Sequence, residues 1–167
     1  MTFDTFPEAS AIVSLPVQAP ASTGAVPPLV RRLVDAFDAA WVDAASVMAW
    51  AAGARDRVVL LPGDPVRFPE GQDVAAVLPE LRRRLADAFD IGVVAAADED
   101  GVAALFAATR RPSLVFLRAG GFVGTLTGMH DWGDFVAAVD RLLAMPSGPL
   151  PARVIPLVAA AGGPACR

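Results

Sequence analysis

The sequence predicts one α/β domain, a central mixed β-sheet flanked by helices, with a flexible arm before it and a flexible tail after it. Three observations carry this. Short runs rich in Val, Leu, Ile and Phe, at Arg57–Leu61, Ile91–Ala96 and Leu114–Leu117, alternate with stretches whose apolar residues recur at helical spacing. The run Leu114–Leu117 and a further run, Phe122–Thr127, are joined through Gly120-Gly121, which reads as a β-hairpin. The chain has 167 residues, enough for one domain with a real core. The expected division is a Pro/Ala/Ser/Thr-rich arm at 1–26, a domain at 27–145 and a Pro/Ala/Gly-rich tail at 146–167.

Within the domain, Pro28 suits the first position of a helix carrying Leu29, Val30, Leu33, Val34 and Phe37. Ala40–Asp43 reads as a short strand. Ser46 is the expected cap of a brief helix with Val47, Trp50 and Ala51. After the strand Arg57–Leu61, Asp73 is the expected N-cap of the longest helix, with Val74, Val77, Leu78, Leu81 and Leu85 on one face and Pro79 inside it. The strand Ile91–Ala96 follows. Asp98-Glu99-Asp100 then opens a helix with Val102, Leu105 and Phe106 inward, its acids read as first-turn residues. Past the hairpin, Asp131 is expected to cap a final helix bearing Trp132, Phe135, Val136, Val139, Leu142 and Leu143 on one face.

Composition closes off several chemistries. The net charge of -4 argues against nucleic acid as the main partner. All 14 basic residues are Arg, so neither a Schiff base nor a P-loop lysine is available. One Cys (Cys166) and one His (His130) exclude a CxxC motif, an internal disulfide and the usual Cys/His zinc sites. No cofactor or metal is expected. The hydrophobic fraction of 54% owes much to Ala and Val, and no window of about 18 unbroken apolar residues signals membrane insertion. Asp4 and Glu8 near the start do not make a secretory signal, so the expected compartment is cytoplasmic.

The stretch V-V-L-L-P-G-D-P-V-R-F-P-E, from Val58 to Glu70, delivers a buried strand onto a loop before a helix. Open α/β folds place their chemistry at such a point. This loop holds no Cys, His, Lys or Ser, so it is expected to bind rather than react.

The order helix, strand, helix, strand, helix, strand, helix, strand, strand, helix is that of thioredoxin, and Pro79 and Arg111-Pro112 resemble the kink proline and the cis-proline of that fold. More closely, L-L-P-G-D-P-V-R-F-P-E, V-L-P-E-L, R-R-P-S-L-V-F and G-T-L-T-G-M-H-D-W resemble, in order and spacing, the hydrogenase-expression accessory proteins of the HupG/HyaE type, over residues 28 to 145. The resemblance implies a thioredoxin-like fold without the CxxC. It also implies a non-enzymatic chaperone for maturation of a membrane-bound uptake nickel–iron hydrogenase. The implied partners are the small-subunit precursor, including its twin-arginine signal peptide, and other maturation proteins.

On that fold, Asp64 and Pro65, Arg111 and Pro112, and Met129 and His130 come from loops expected to converge on one groove. An extended peptide could pair there as an added strand. Phe68, Met129 and Trp132 are candidate apolar contacts, and Asp64, Glu70 and Asp73 candidate acceptors for a cationic partner. Simpler roles compete: Asp64 as a turn former, Asp73 as a cap, Phe68 and Trp132 as core, His130 as a local hydrogen-bonding group. Two other readings stay open. One is a structural, homo-oligomeric subunit docking through the apolar tail patches Ala11–Leu15 and Val154–Val158. The other is a thiol oxidoreductase using Cys166 from the tail.

Overall fold

The computed structural model describes residues 26–151. Expectations for residues 1–25 and 152–167, including both apolar patches and Cys166, lie outside the described residues.

The elements run α1 (Pro28–Phe37), β1 (Ala40–Val42), α2 (Val47–Ala51), β2 (Asp56–Leu61), α3 (Glu70–Arg84), β3 (Phe89–Val94), α4 (Glu99–Phe106), β4 (Ser113–Arg118), β5 (Gly121–Thr127) and α5 (Trp132–Ala144). The five strands form one mixed sheet in the order β1-β3-β2-β4-β5. β1 and β2 lie parallel to β3, while β4 is antiparallel to both β2 and β5. This is the thioredoxin-like arrangement, and the Arg111-Pro112 bond before β4 is cis.

Because successive side chains on a strand face opposite sides, the central strands feed two cores. Val58, Leu60, Ile91, Val93, Leu114 and Phe116 join α1, α3 and α5 on one face. Val59, Leu61, Val94, Val115 and Leu117 join α2 and α4 on the other. Phe89, Phe116 and Phe135 are fully buried, each such side chain being worth about 1.5–3 kcal/mol of transfer free energy.

Several local details differ from the sequence expectations. α3 begins at Glu70, so Asp73 lies in its first turn instead of capping it. The turn that starts at Asp64 already runs into the helix, through Phe68 N–H to Asp64 O (2.8 Å) and Gly71 N–H to Phe68 O (3.0 Å). Pro69 supplies a φ of -58° suited to that entry. At α2 the capping group is Asp43, whose carboxylate accepts the Ala45 and Ser46 N–H groups at 3.0 and 2.8 Å; the Ser46 hydroxyl makes no cap bond. Asp131 likewise makes no side-chain cap bond to α5. The hairpin turn is Ala119-Gly120, both at positive φ (49° and 76°), and Gly121 is already in β5. Trp132 is 45% exposed, since the first residue of α5 precedes the turns that place Phe135 and Val139 in the core. Within the expected tail, Gly148 exchanges two main-chain hydrogen bonds with Phe122.

Candidate functional site

The loop after β2, the start of α4, the segment before β4 and the end of β5 meet at one edge of the sheet. Between them lies an open cleft of about 1140 Å³, lined by Gly63, Asp64, Arg67, Phe68, Ala96, Ala97, Glu99, Asp100, Ala108, Thr109, Arg110, Arg111, Thr127 and Gly128.

Gly63 sets how closely its walls approach. Its φ of +82° favours glycine, and a Cβ there would lie 2.7 Å from the Phe68 ring and 2.9 Å from Arg111 Cβ. The bare backbone therefore lets the Phe68 ring and the Arg111 side chain pack against the loop. Asp64 follows, and its Oδ1 accepts the Val66 and Arg67 N–H groups at 3.0 and 2.9 Å, which makes it a turn former at the rim.

On the floor lies a pair that sequence reasoning missed. Glu99 is 5% exposed. Its Oε1 accepts the Gly63 N–H at 2.8 Å and its Oε2 the Arg111 Nε–H at 2.6 Å. Arg111 also donates to the carbonyls of Ala108 (2.8 Å) and Arg110 (3.0 Å). One carboxylate thus ties together the loops after β2, after β3 and before β4. Burial pushes the Glu99 carboxyl above its ordinary range, against the lowering effects of the Arg111 and Gly63 hydrogen bonds and the Arg111 charge. A buried pair of this kind fixes geometry more than it adds net stability. A signal for Glu99 was present in the sequence. It stands at i relative to Val102 (i+3) and Phe106 (i+7), the inward stripe of α4, whereas its neighbours Asp98 and Asp100 are exposed.

Of the residues singled out from the sequence, Asp64, Phe68 and Arg111 line the cleft. Pro112 is buried beneath it, its carbonyl accepting the Gly128 N–H at 2.9 Å. Met129 directly follows the lining residue Gly128 and is 40% exposed. Pro65 and Glu70 stand outside the lining, Pro65 half-buried and Glu70 exposed. The His130 ring is turned away from chemistry: Nε2–H donates to Thr127 O at 2.9 Å, and the ring lies against Phe135 at 5.6 Å between centroids. The main-chain N–H and C=O of Arg111 take part in none of the loop and turn hydrogen bonds. Among the described residues, no group of three or more His, Cys, Asp or Glu could hold a metal ion, and no helix is long and apolar enough to cross a membrane.

Fold and cleft together define a thioredoxin-like protein whose site loop carries no thiol. The sequence profile of the hydrogenase-1 expression protein HyaE matches residues 29–135. The hydrogenase expression/formation protein HoxO of Cupriavidus necator is 50% identical over 147 residues, covering 87% of this chain and 91% of HoxO. HupG of Bradyrhizobium diazoefficiens, also a hydrogenase expression/formation protein, is 35% identical over 130 residues, covering 78% of this chain and 87% of HupG. A solved structure of a hydrogenase expression/formation protein HupG from Rhodopseudomonas palustris aligns with a TM-score of 0.45 at 34% identity, covering 63% of this chain and 95% of that one. The chain belongs to the HyaE family of hydrogenase expression proteins.

Proposed function

We propose that this protein is a non-catalytic assembly chaperone in the maturation of an uptake nickel–iron hydrogenase, holding the small-subunit precursor in the cytoplasm through the cleft between Phe68, Arg111 and Gly128. Family membership supports the process, since the relatives are named as hydrogenase expression and formation proteins. The observation that carries the binding role is the state of the cleft. The edge where this fold does its chemistry is open and preformed, yet its buried polar groups, Glu99 and Arg111, are spent on each other and on the backbone. A site built this way keeps its buried ion pair for holding the walls in place, and a guest meets loops that are already set.

The free main chain of Arg111 suits an extended segment added in strand-like pairing, with Phe68 and Met129 beside it for apolar contact. Asp100 in the lining, and Glu70 and Asp131 outside it at the starts of α3 and α5, have exposed carboxylates without salt-bridge partners among the described residues, which suits a cationic partner such as a twin-arginine segment. Because Asp64 also holds a turn, charge reversal tests the idea more cleanly at Glu70, Asp100 and Asp131. The experiment is a pull-down of the small-subunit precursor, with and without its signal peptide, against the wild type and the Glu70→Arg/Asp100→Arg/Asp131→Arg variant. Retention by the wild type and loss by the folded variant is the expected result. Equal capture by both removes these carboxylates from the mechanism, and no capture by the wild type removes the small-subunit precursor as the partner.

A further inference from the structure

The charges that line the cleft cancel. Asp64, Glu99 and Asp100 stand against Arg67, Arg110 and Arg111. Most of them are also engaged within the chain. Glu99 and Arg111 pair with each other, the Asp64 carboxylate holds the turn that follows it, and the Arg67 guanidinium lies over the Phe68 ring, 5.5 Å from its centroid. One carboxylate and one guanidinium remain, Asp100 and Arg110, so the lining has no net pull on either sign of charge. The Gly63 N–H is spent as well, on Glu99. A charged side chain brought inside loses hydration with no net field to offset the loss.

Apolar surface gathers at the same place. Six large apolar side chains stand exposed among the described residues, and three of them, Val66 (67%), Met129 and Trp132, belong to this mouth. Val66 lies between the lining residues Asp64 and Arg67, Met129 directly follows the lining residue Gly128, and Trp132 opens α5 just beyond. The two loops that carry them flank Arg111-Pro112: Gly63 packs against Arg111, and the Gly128 N–H bonds to the Pro112 carbonyl. Phe68, Ala96, Ala97 and Ala108 add apolar surface to the lining itself. Covering these groups is favourable in proportion to the apolar area removed from water.

The width of the cleft sets the length of its guest. The lining comes from the loop after β3, the loop after β2, the segment before β4 and the end of β5, which are neighbours in the sheet. Three strand spacings make about 14 Å. An extended chain crosses that distance in about four to five residues.

We propose that the cleft holds an uncharged, apolar run of about four to five extended residues, laid over Arg111 between Val66 and Phe68 on one side and Met129 and Trp132 on the other. In the small-subunit precursor this run is the apolar stretch that follows the charged start of its export signal. The arginines then stay outside the lining, towards the exposed carboxylates at the starts of α3 and α5. This rests on the chaperone role proposed above and names the part of the guest that the cleft reads.

The test follows the backbone and indole N–H signals of the isotope-labelled full-length protein as three synthetic peptides are added. They are the precursor's signal peptide, the same peptide with both arginines changed to glutamine, and the same peptide with alternate apolar residues changed to serine. The signal peptide should shift Val66, Phe68, Gly128, Met129 and the Trp132 indole and leave Trp41 on β1 in place. Serine substitution should weaken binding about 10-fold or more, and glutamine substitution about 3-fold or less. The Val66→Ser/Met129→Ser variant, altered at two exposed positions and checked for an unchanged urea midpoint, should bind the unmodified peptide about 10-fold more weakly. Glutamine substitution that costs more than serine substitution makes charge the determinant and overturns the proposal, as does equal affinity of wild type and variant. Equal capture of the precursor with and without its signal peptide also overturns it, and leaves the chaperone role standing. The same shifts with a leucine- and valine-rich peptide of unrelated sequence, in a protein that binds neither precursor nor signal peptide, support the apolar site and defeat the assigned partner instead.

Discussion

The two ends of the sheet treat charge in opposite ways. At the hairpin end, Arg118 pairs with Asp56 through Nε (2.6 Å) and one terminal nitrogen (2.8 Å), and it donates to the Leu143 and Met145 carbonyls that end α5. Arg55 and Arg57 both pair with Asp90, and Arg82 with Asp87. At the cleft end a single pair, Glu99–Arg111, is sunk in the floor, and the carboxylates around it have no such partners among the described residues. The same residue types thus serve to clamp elements together at one end and to present charge at the other. Substitutions at the hairpin end should cost stability and spare binding, and those on the cleft rim should do the reverse.

The largest effect is expected where the cleft end departs from its own pattern. Glu99→Ala leaves Arg111 and the Gly63 N–H without their partner, and urea denaturation should show a loss of about 3–5 kcal/mol. The pair also carries a pH signature. The folded-state pKa of Glu99 is raised by burial, so its favourable contribution is complete below the ordinary carboxylate range and is lost as pH rises through the raised value. The stability of the wild type relative to Glu99→Gln should therefore fall from acidic to neutral pH; a difference that grows with pH would contradict the desolvated environment.

Next comes Gly71→Ala. A Cβ there would collide with the Pro62 carbonyl oxygen, forcing α3 away from the loop that walls the cleft, at about 1–3 kcal/mol by the same measurement. At the hairpin end, Arg118→Met removes both the Asp56 pair and the hold on the last turn of α5. A loss of about 1–3 kcal/mol is expected with precursor capture unchanged. The smallest stability effect belongs to Asp100→Asn, at an exposed carboxylate in the cleft lining. The urea midpoint should stay where it is, while precursor binding weakens and becomes less sensitive to salt. A shifted midpoint with unchanged binding would erase the contrast between the two ends.

Much of the fold was legible because its signals are local. Val58–Leu61 and Leu114–Leu117 announce buried strands by continuous apolar composition, and α3 announces itself by the spacing of Val74, Leu78 and Leu81. The meeting of the loops at Asp64, Arg111 and Gly128 followed from the resemblance to the thioredoxin fold. What escaped depends on partners far along the chain. Glu99 meets Gly63 and Arg111 only after β2, α4 and β4 are assembled, so an acid flanked by acids looked like a solvated helix start. The start of α3 was misplaced for a related reason: a turn held by Asp64 and continued by Pro69 enters the helix three residues before the expected cap. Trp132 shows the limit of helical periodicity, which marks the face of a helix but not how far the neighbouring sheet extends beneath it.

In the complex proposed above, the Glu99 tie also sets who gives up freedom on docking. With the loops around Gly63 and Arg111 already pinned to one carboxylate, the receptor has little left to arrange, and the loss of conformational entropy falls on the arriving segment. Stiffening that segment beforehand, by proline or by cyclisation, then strengthens the complex more than any change to the cleft walls.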